Sequence, residues 1–179
     1  MTMKILIFNT LYSPNFQGGA EKSVQILAET LSKAGIQVEV CTTSNRNEMK
    51  TLNGVKITYV KVKNLYWLYG KSKKNPILKA LWHLIDSLNV FSSYQIARIV
   101  KKSNPDVIHT NNLAGFSVNV WKIARNMKIP IVHTLRDYYL SCPRSTRYKN
   151  NTICKKSCFD CSLYSIPKKK LSNDVGTVV

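Results

Sequence analysis

The sequence predicts an α/β domain built on a doubly wound parallel sheet with helices on both faces. Short apolar runs with strand character alternate with longer helical patterns up to about residue 135. The first strand, helix and strand follow one another within about 40 residues, and no repeat or low-complexity linker interrupts the alternation. Such a unit implies two parallel strands joined by a right-handed crossover. Repetition of the unit is typical of an open sheet that is covered on both sides.

The first unit is the clearest. A strand is predicted over 4–9, where four apolar residues follow one another. A helix is predicted over 20–34, because its apolar residues recur at the i, i+3, i+4 and i+7 spacing of one helix face. Gly35 stands where a left-handed glycine commonly ends a helix, and a second strand follows over 37–42.

The later elements follow the same alternation. Asn75 can cap a long helical region, Pro76 suits its first turn, and Asn89 is predicted to break or kink it. From residue 137 the periodicity is lost, and 137–166 is interpreted as a loop excursion from the carboxyl edge of the sheet. The predicted elements after 42 are a third strand over 54–62, a helical region over 76–102, a fourth strand over 105–111, a helix over 116–127 and a fifth strand over 129–135.

Composition limits the function classes. The chain has 179 residues, 44% of them apolar, which fits one folded domain. It has no run of about 18 uncharged apolar residues, and its N-terminal apolar core is too short for a signal peptide, so a cytoplasmic location is expected. The formal charge of +18 would attract a nucleic acid, an anionic membrane surface or phosphorylated substrates, or it reflects a lysine-rich solvated surface. Nucleic acid is disfavoured, because the basic runs are scattered and lack interleaved aromatic residues.

Two adjacent glycines, Gly18 and Gly19, lie between the first strand and its helix. They do not form the G-x-G-x-x-G pattern of a dinucleotide site. Two interpretations remain: a helix start that a phosphate approaches closely, or a turn that needs a positive φ. Glu21 is interpreted as a partner of the helix dipole.

Polar residues follow the fifth strand. His133 ends it, and Arg136, Asp137 and Tyr138 come next on the same loop. Ligands of open α/β sheets bind at the carboxyl ends of strands, which makes these residues candidates for a binding site. A single histidine in an apolar strand is also commonly structural. Arg136 could bind a phosphate, and Asp137 could orient His133 or Arg136.

The fourth strand ends in a similar way, with His109, Asn111 and Asn112. An asparagine can hydrogen-bond a sugar hydroxyl, but it cannot act as a base near neutral pH. We therefore expect these residues to shape a binding pocket.

Four cysteines follow the spacing C-x11-C-x3-C-x2-C, which could close a structural zinc site or hold an iron–sulfur cluster. Reduced thiols are the alternative, and disulfides are disfavoured in a cytosolic chain. Four thiolates leave no open position on zinc, so a metal there would not be catalytic. The candidate ligands are Cys142, Cys154, Cys158 and Cys161.

The segment 65–91 mixes tryptophan, tyrosine and lysine and ends in a strongly apolar helix. A basic, aromatic, amphipathic helix can lie in a membrane interface. The same apolar stripe can pack on the sheet, so both interpretations stay open.

Three stretches together resemble the N-terminal domain of family 4 glycosyltransferases, the group 1 type. Their order and spacing match from residue 1 to about 165. The stretches are "SPNFQGGAEKSVQILAETLSKAGIQVEVCT", "PDVIHTNNLAGFS" and "IPIVHTLRDYYLSCPRS".

The resemblance implies one half of a GT-B fold, in which two Rossmann-like domains face each other across a cleft. The N-terminal domain mostly holds the acceptor and the C-terminal domain mostly holds the nucleotide-sugar donor. Most members retain the anomeric configuration and need no metal for catalysis. The donor-binding glutamate motif has no counterpart here, so 1–179 is expected to be a single acceptor-side domain without the donor-binding domain, and inactive without it.

The resemblance also implies roles for residues. Gly18 and Gly19 would line the cleft beside the donor phosphates and the acceptor. His133 aligns with the cleft histidine, a hydrogen-bonding or proton-transfer group, and is the candidate catalytic residue. Asn111 stands where many relatives have a second histidine.

The predicted reaction is transfer of a sugar from a nucleotide-sugar to a glycan or lipid-linked acceptor in cell-surface polysaccharide biosynthesis. The partners would include a peripheral anionic membrane surface on the inner face of the membrane and a separate chain that supplies the donor domain. The alternative is a non-catalytic Rossmann-like module that binds anionic lipid or a partner protein.

Overall fold

The structure is a computed structural model that describes residues 2–70 and 74–178, and it contains a seven-stranded sheet and a small separate hairpin. In chain order the elements are β1 (Lys4–Asn9), α1 (Gly19–Lys33), β2 (Gln37–Ser44), β3 (Glu48–Leu52), β4 (Val55–Lys61), α2 (Pro76–Ser87), α3 (Val90–Ser103), β5 (Val107–Thr110), α4 (Asn119–Asn126), β6 (Ile131–His133), β7 (Tyr148–Lys149), β8 (Thr152–Ile153), α5 (Phe159–Ser172) and β9 (Thr177–Val178). The hairpin is formed by β7 and β8.

The sheet has the strand order β3-β4-β2-β1-β5-β6-β9, and every pair is parallel except β3 with β4. Counted along the chain, the six parallel strands have the order 3-2-1-4-5-6 of the dinucleotide-binding sheet. The direction of winding reverses between β1 and β5, which opens a crevice at their carboxyl ends. The prediction of a doubly wound parallel sheet is therefore confirmed.

Helices cover both faces, as predicted. Alternate residues of β1 point to opposite sides, because side chains alternate along a strand. Ile7 packs in one core cluster with Val24 of α1. Phe8 packs in the other cluster, edge-on to Phe116 with ring centroids 5.3 Å apart and near Trp121 of α4.

Several local predictions are confirmed. Gly35 follows α1 with φ of 85°. The Asn75 side chain accepts a hydrogen bond from Leu78 N at 2.7 Å and caps α2. Asn89 breaks the long helical region, because its Oδ1 accepts from Ser92 N and starts α3.

The prediction of 137–166 as loop is wrong in its last part, because α5 begins at Phe159. This helix contains Pro167 and has little apolar periodicity, so contacts with α2 and α4 stabilise it where its sequence signal is weak.

Two edge strands, β3 and β9, were also not predicted. The hairpin that joins β3 to β4 turns at Asn53 and Gly54, both with positive φ. An Asn-Gly pair between strands is the strongest short-range hairpin signal in a sequence.

A buried polar network ties α2 to the loops above it. The Asp86 carboxylate accepts from Gly115 N and from the Tyr139 hydroxyl, both at 2.7 Å. Lys168 Nζ donates to the Tyr139 carbonyl oxygen at 3.0 Å and lies 3.4 Å from the centroid of that ring. Burial raises the pKa of Asp86 to about 6 and lowers the pKa of Lys168 to about 8. At neutral pH both groups are mainly charged, so the negative charge of Asp86 and the positive charge of Lys168 balance each other.

Asp86→Ala is expected to lower the free energy of unfolding by about 3 kcal/mol, because it leaves two buried donors without their acceptor and removes the negative charge that balances the buried Lys168 ammonium. Urea unfolding at pH 7 measures it. Asp86→Asn keeps an acceptor oxygen and should cost less.

Asp106→Ala is the matched control, since this exposed carboxylate accepts a single backbone hydrogen bond, from Lys4 N. It should cost under about 1 kcal/mol. Equal losses at Asp86 and Asp106 would contradict the role of the buried network.

Candidate functional site

Thr10 joins the strand ends around the crevice. It lies directly after β1, and its backbone N donates to the Asn112 carbonyl at 2.9 Å. Its hydroxyl lies within 3.0 Å of both the Asn112 carbonyl and the Asn112 side-chain oxygen. Its carbonyl accepts from Thr43 N at 3.0 Å and from the Thr43 hydroxyl at 2.6 Å. The ends of β1, β2 and β5 are thus held in one frame.

Arg136 bridges β5 and α1 across this edge. Its Nε donates to Asn111 Oδ1 at 2.8 Å, and one terminal nitrogen donates to Ser23 Oγ at 2.9 Å. Asn111 is buried, and its Nδ2 makes no hydrogen bond within the structure. Buried donors without partners are rare in folded proteins, so this amide indicates a place for an acceptor from outside the chain.

Asn112 and Asp137 form a second pair beside it. Asn112 Nδ2 donates to Asp137 Oδ2 at 2.6 Å, and the other carboxylate oxygen accepts from Tyr139 N at 2.7 Å. Burial raises the pKa of Asp137. The Asn112 side-chain oxygen is engaged by Thr10 and by Ala114 N, so this residue mainly shapes the crevice.

His133 lies beneath the crevice and is 3% exposed. Its Nδ1 is 3.1 Å from the Thr110 carbonyl and 2.9 Å from the Thr110 hydroxyl, and its ring meets Trp121 edge-on. Since a carbonyl only accepts, Nδ1 carries the proton and Nε2 keeps a lone pair. Burial lowers the pKa of His133 to about 4, and nearby His109 adds to this effect. The imidazole is therefore neutral at pH 7.

His109 lies at the crevice, whereas the Tyr138 ring lies away from it. His109 Nε2 is 2.8 Å from the Thr134 hydroxyl, and burial together with Arg136 lowers the pKa of His109 to about 4. Tyr138 is half-exposed, and its ring lies beneath the guanidinium of Arg147 at 5.7 Å. His109 thus joins the residues around the crevice, whereas the Tyr138 ring packs on the cysteine-bearing loop.

The glycine pair lies at the start of α1, and the space beside Gly19 is open. Neither Gly18 nor Gly19 has a positive φ, so the interpretation as a turn that needs that conformation is wrong. A methyl group on Gly19 would meet no atom within 4 Å. Gly18 N donates to the Glu21 carboxylate at 2.8 Å, and Gly18 has no side chain to cap the next amides of α1. Those amides can therefore donate to a ligand.

A cavity of about 170 Å³ lies next to Asn112 and Asp137, and sequence reasoning did not identify it. Tyr69, His83 and Arg144 are among its lining residues. Burial raises the pKa of Tyr69 to about 12, and the carboxylates of nearby acidic residues, Asp137 among them, add to this effect. Aromatic surface beside hydrogen-bonding groups is the usual composition of a small-molecule pocket.

The cysteines lie partly together. Cys158 Sγ and Cys161 Sγ are 3.2 Å apart, and the Cys142 thiol also contacts Cys161. Burial raises the pKa of Cys161 to about 12. Cys154 follows the β7–β8 hairpin, and its N donates to the Arg147 carbonyl at 2.8 Å. Within residues 2–70 and 74–178, no three His, Cys, Asp or Glu side chains form a preformed metal site. The zinc or iron–sulfur site stays a prediction.

Comparison with known proteins identifies the family. Residues 17–158 match Glycosyltransferase Family 4. The chain belongs to this family. The match covers the glycine pair, the ends of β5 and β6 and three of the four candidate metal-binding cysteines, so the resemblance predicted from the sequence is confirmed.

One sequence relative and one solved structure show how far the likeness of this family 4 chain extends. An uncharacterized 42.6 kDa protein in a cps region of Klebsiella pneumoniae is 44% identical over 99% of this chain. This chain spans 48% of that protein, about half its length. MurG from Acinetobacter baumannii is 11% identical with a TM-score of 0.50, over 99% of this chain and 40% of that one. The fold is one half of a GT-B glycosyltransferase fold, as predicted.

Sequence reasoning placed most of the candidate site at one edge of the sheet but missed three residues that contact it or lie beside it. Thr10 could have been found, because it directly follows the first predicted strand. Ser23 and Tyr69 carried no usable signal, since one is a polar residue in the first turns of a helix and the other lies in an aperiodic segment.

Stability is expected to depend on pH through His133. Its pKa is about 4 when folded and near 6.5 when unfolded, so the unfolded chain binds the extra proton between these values. Stability is therefore lost as pH falls below 6.5. His133→Gln should reduce the loss between pH 7 and pH 5 by about 1–2 kcal/mol.

Urea unfolding of both proteins at the two pH values gives the measurement. Ile26→Gln is the control, because this exposed position carries no titratable group, and it should behave as wild type. An identical pH dependence in wild type and His133→Gln would show that His133 does not hold a lowered pKa.

Proposed function

We propose that this chain is the acceptor-side half of a retaining glycosyltransferase. The complete enzyme would transfer a sugar from a nucleotide-sugar to a hydroxyl of a glycan or lipid-linked acceptor. The donor-binding half would come from the remainder of a longer polypeptide or from a separate chain. The length of the Klebsiella relative, about twice that of this chain, supports this division.

One observation carries the proposal: three sets of hydrogen-bond donors converge at the switch point of the sheet, and the described residues supply acceptors for only part of them. They are the uncapped amides of α1, the buried Nδ2 of Asn111 and the guanidinium of Arg136. Arg136 contacts both α1 and Asn111, so the three lie side by side. Amides at a helix start and a guanidinium are the usual ligands of phosphate groups.

His133 suits a hydrogen-bonding role better than a proton-transfer role. With a pKa near 4 it is neutral and a weak base at pH 7, while catalytic bases are tuned towards the operating pH. Its Nδ1 proton is held by Thr110, so Nε2 is the atom that accepts from a substrate hydroxyl. A structural zinc at the cysteines would only stiffen the loop that follows.

The biological setting is part of the same proposal. A role in cell-surface polysaccharide biosynthesis is supported by the cps-region location of the relative. The proposed location is cytoplasmic, at the inner face of the membrane. The non-catalytic binding module is the competing function, and it predicts no sugar transfer by the complete gene product.

The decisive experiment measures transfer from a panel of radiolabelled nucleotide-sugars by the longest polypeptide that the gene encodes. Arg136→Ala is expected to lower kcat/KM by about 100-fold, because it removes a charged donor from the phosphate site. His133→Ala is expected to lower turnover by a similar factor. Circular dichroism and Tm establish that each variant folds.

Arg46→Ala is the matched control, since Arg46 is exposed and pairs only with Glu48 within the described contacts. It should keep wild-type kinetics. Wild-type turnover in His133→Ala would remove its assigned role. Absence of transfer by the wild-type protein from every donor would favour the binding module.

Gly19→Ala separates ligand approach from folding. A methyl group there meets no protein atom, and alanine is the better helix former, so stability should rise by up to about 1 kcal/mol. The methyl group would occupy the space that a ligand needs, and KM for the nucleotide-sugar or acceptor should rise by about tenfold. Urea unfolding and steady-state kinetics measure the two effects. An unchanged KM would contradict close approach at this position.

A further inference from the structure

We propose that the outer surface of α2, the first turns of α3, and α5 docks onto an anionic membrane surface. We call this surface the docking face. It is separate from the crevice, and the inference does not depend on glycosyl transfer. Residues 71–73, which belong to the basic aromatic segment predicted from the sequence, lie outside the described residues.

The docking face is unusually apolar for an exposed surface. Along α2 the exposed residues recur every three or four positions, so they form one stripe. The stripe continues past the break at Asn89 into α3, where Phe91 is 72% exposed and Tyr94 is 74% exposed. Its members are Ile77, Leu81, Leu84, Leu88, Val90, Phe91 and Tyr94.

A second stripe on α5 lies beside the first. Phe159, Leu163 and Ile166 are spaced four and three residues apart and are all exposed. The neighbouring Tyr164 packs against His83 of α2 and donates to the carbonyl oxygen of Ala80. The two exposed stripes therefore border the same α2–α5 contact and form one patch. Apolar patches of this extent mark interaction sites.

The described charged side chains at the margin of the patch are basic. Asp86 is the only acidic residue between positions 49 and 105, and its carboxylate is fully buried. Lys79 on α2, and Lys169 and Lys170 on α5, are exposed. An amphipathic helical surface with basic residues at its margin is the type that lies in a membrane interface.

A cationic groove extends the face along α3. It encloses about 860 Å³ between α3 and the β3–β4 edge, and Tyr94 belongs both to the groove and to the apolar stripe. Lys63, Arg98 and Lys102 line it, and its carboxylate, Glu48, is already paired with Arg46 and Lys50. Gln95 Oε1, a buried acceptor of this groove, has no partner in the structure. Lipid phosphate groups near Tyr94 would meet this positive groove.

An anionic membrane fits this face better than a second copy of the chain. Two copies of one cationic face would bring like charges together, which opposes association. Within the described ranges, no helix is long and apolar enough to cross a bilayer, so the contact would be with the membrane surface. Lipid supplies both an apolar layer for the stripe and phosphate charge for the lysines.

Co-sedimentation of the 179-residue chain with vesicles tests the proposal. Binding is expected to vesicles of phosphatidylcholine with phosphatidylglycerol, to weaken steeply in high salt, and to be weak with phosphatidylcholine alone. Leu84→Glu and Phe91→Glu should each weaken binding by about tenfold, since each places a charge in the apolar layer. Lys169→Glu should weaken it by about fivefold.

Matched controls lie on α1, on the other side of the sheet. Ile26→Glu and Lys22→Glu make the same chemical changes at exposed positions, and they should bind as wild type. Failure to bind anionic vesicles, or equal weakening by the α1 variants, would overturn the proposal. A dimer in sedimentation equilibrium that Leu84→Glu dissociates would show that a second copy covers the face.

A longer gene product provides a further test of the docking face. If it carries another domain, it should bind the same vesicles with the same sensitivity to Phe91→Glu. Loss of binding only when that domain is present would show that the domain covers the docking face, which would also overturn the inference. Glycosyl transfer by a protein that does not bind vesicles would leave the proposed reaction standing and would remove this inference together with the proposed location at the membrane.

Discussion

The reversal of winding between β1 and β5 is the constraint on which the rest of the site depends. It brings the carboxyl ends of two strands from opposite halves of the sheet together without a crossing connection above them. Thr10 fixes that junction, since its backbone and hydroxyl bond to Asn112 while its carbonyl holds Thr43. Because the strand ends are held in place, the loops after β5 and β6 have few alternative conformations. The strand ends thus position Asn111, Arg136 and Asp137.

The site combines buried neutral imidazoles with donors that the chain leaves available. His109 and His133 are uncharged near neutral pH because burial penalises the cation, so they add no positive charge next to Arg136. The positive character of the crevice therefore comes from one guanidinium and from backbone and side-chain amides. Such an arrangement favours an anionic group bound by hydrogen bonds, and it does not require a side chain that exchanges protons at pH 7.

The sequence predicted the sheet well because buried parallel strands and amphipathic helices have strong periodic signals. Strand 4–9 has the bounds that the structure shows, and the long helical region breaks at Asn89, where a break or kink was predicted. The failures have different causes. The Asn53-Gly54 turn did signal the hairpin that contains β3, although β3 itself has little burial pattern. By contrast, β9 is only two residues long and α5 depends on contacts with α2 and α4. For the site, the sequence could name residues at strand ends, but it could not show that Asn111 Nδ2 lacks a partner or that Asn112 is already engaged, because those facts depend on side-chain packing.

Two helices of the docking face, α2 and α5, also connect to the crevice. α2 and α5 present their apolar residues outward, while Asp86 and Lys168 on the same helices point inward to Tyr139. Tyr139 N in turn bonds to Asp137, which holds Asn112 at the crevice. A displacement of α2 relative to α5 would therefore disturb a fully buried carboxylate and its partners, and this cost opposes such a displacement. These contacts connect the docking face to the crevice, so a protein that bound a membrane through these helices would hold the crevice at a defined orientation to the lipid surface.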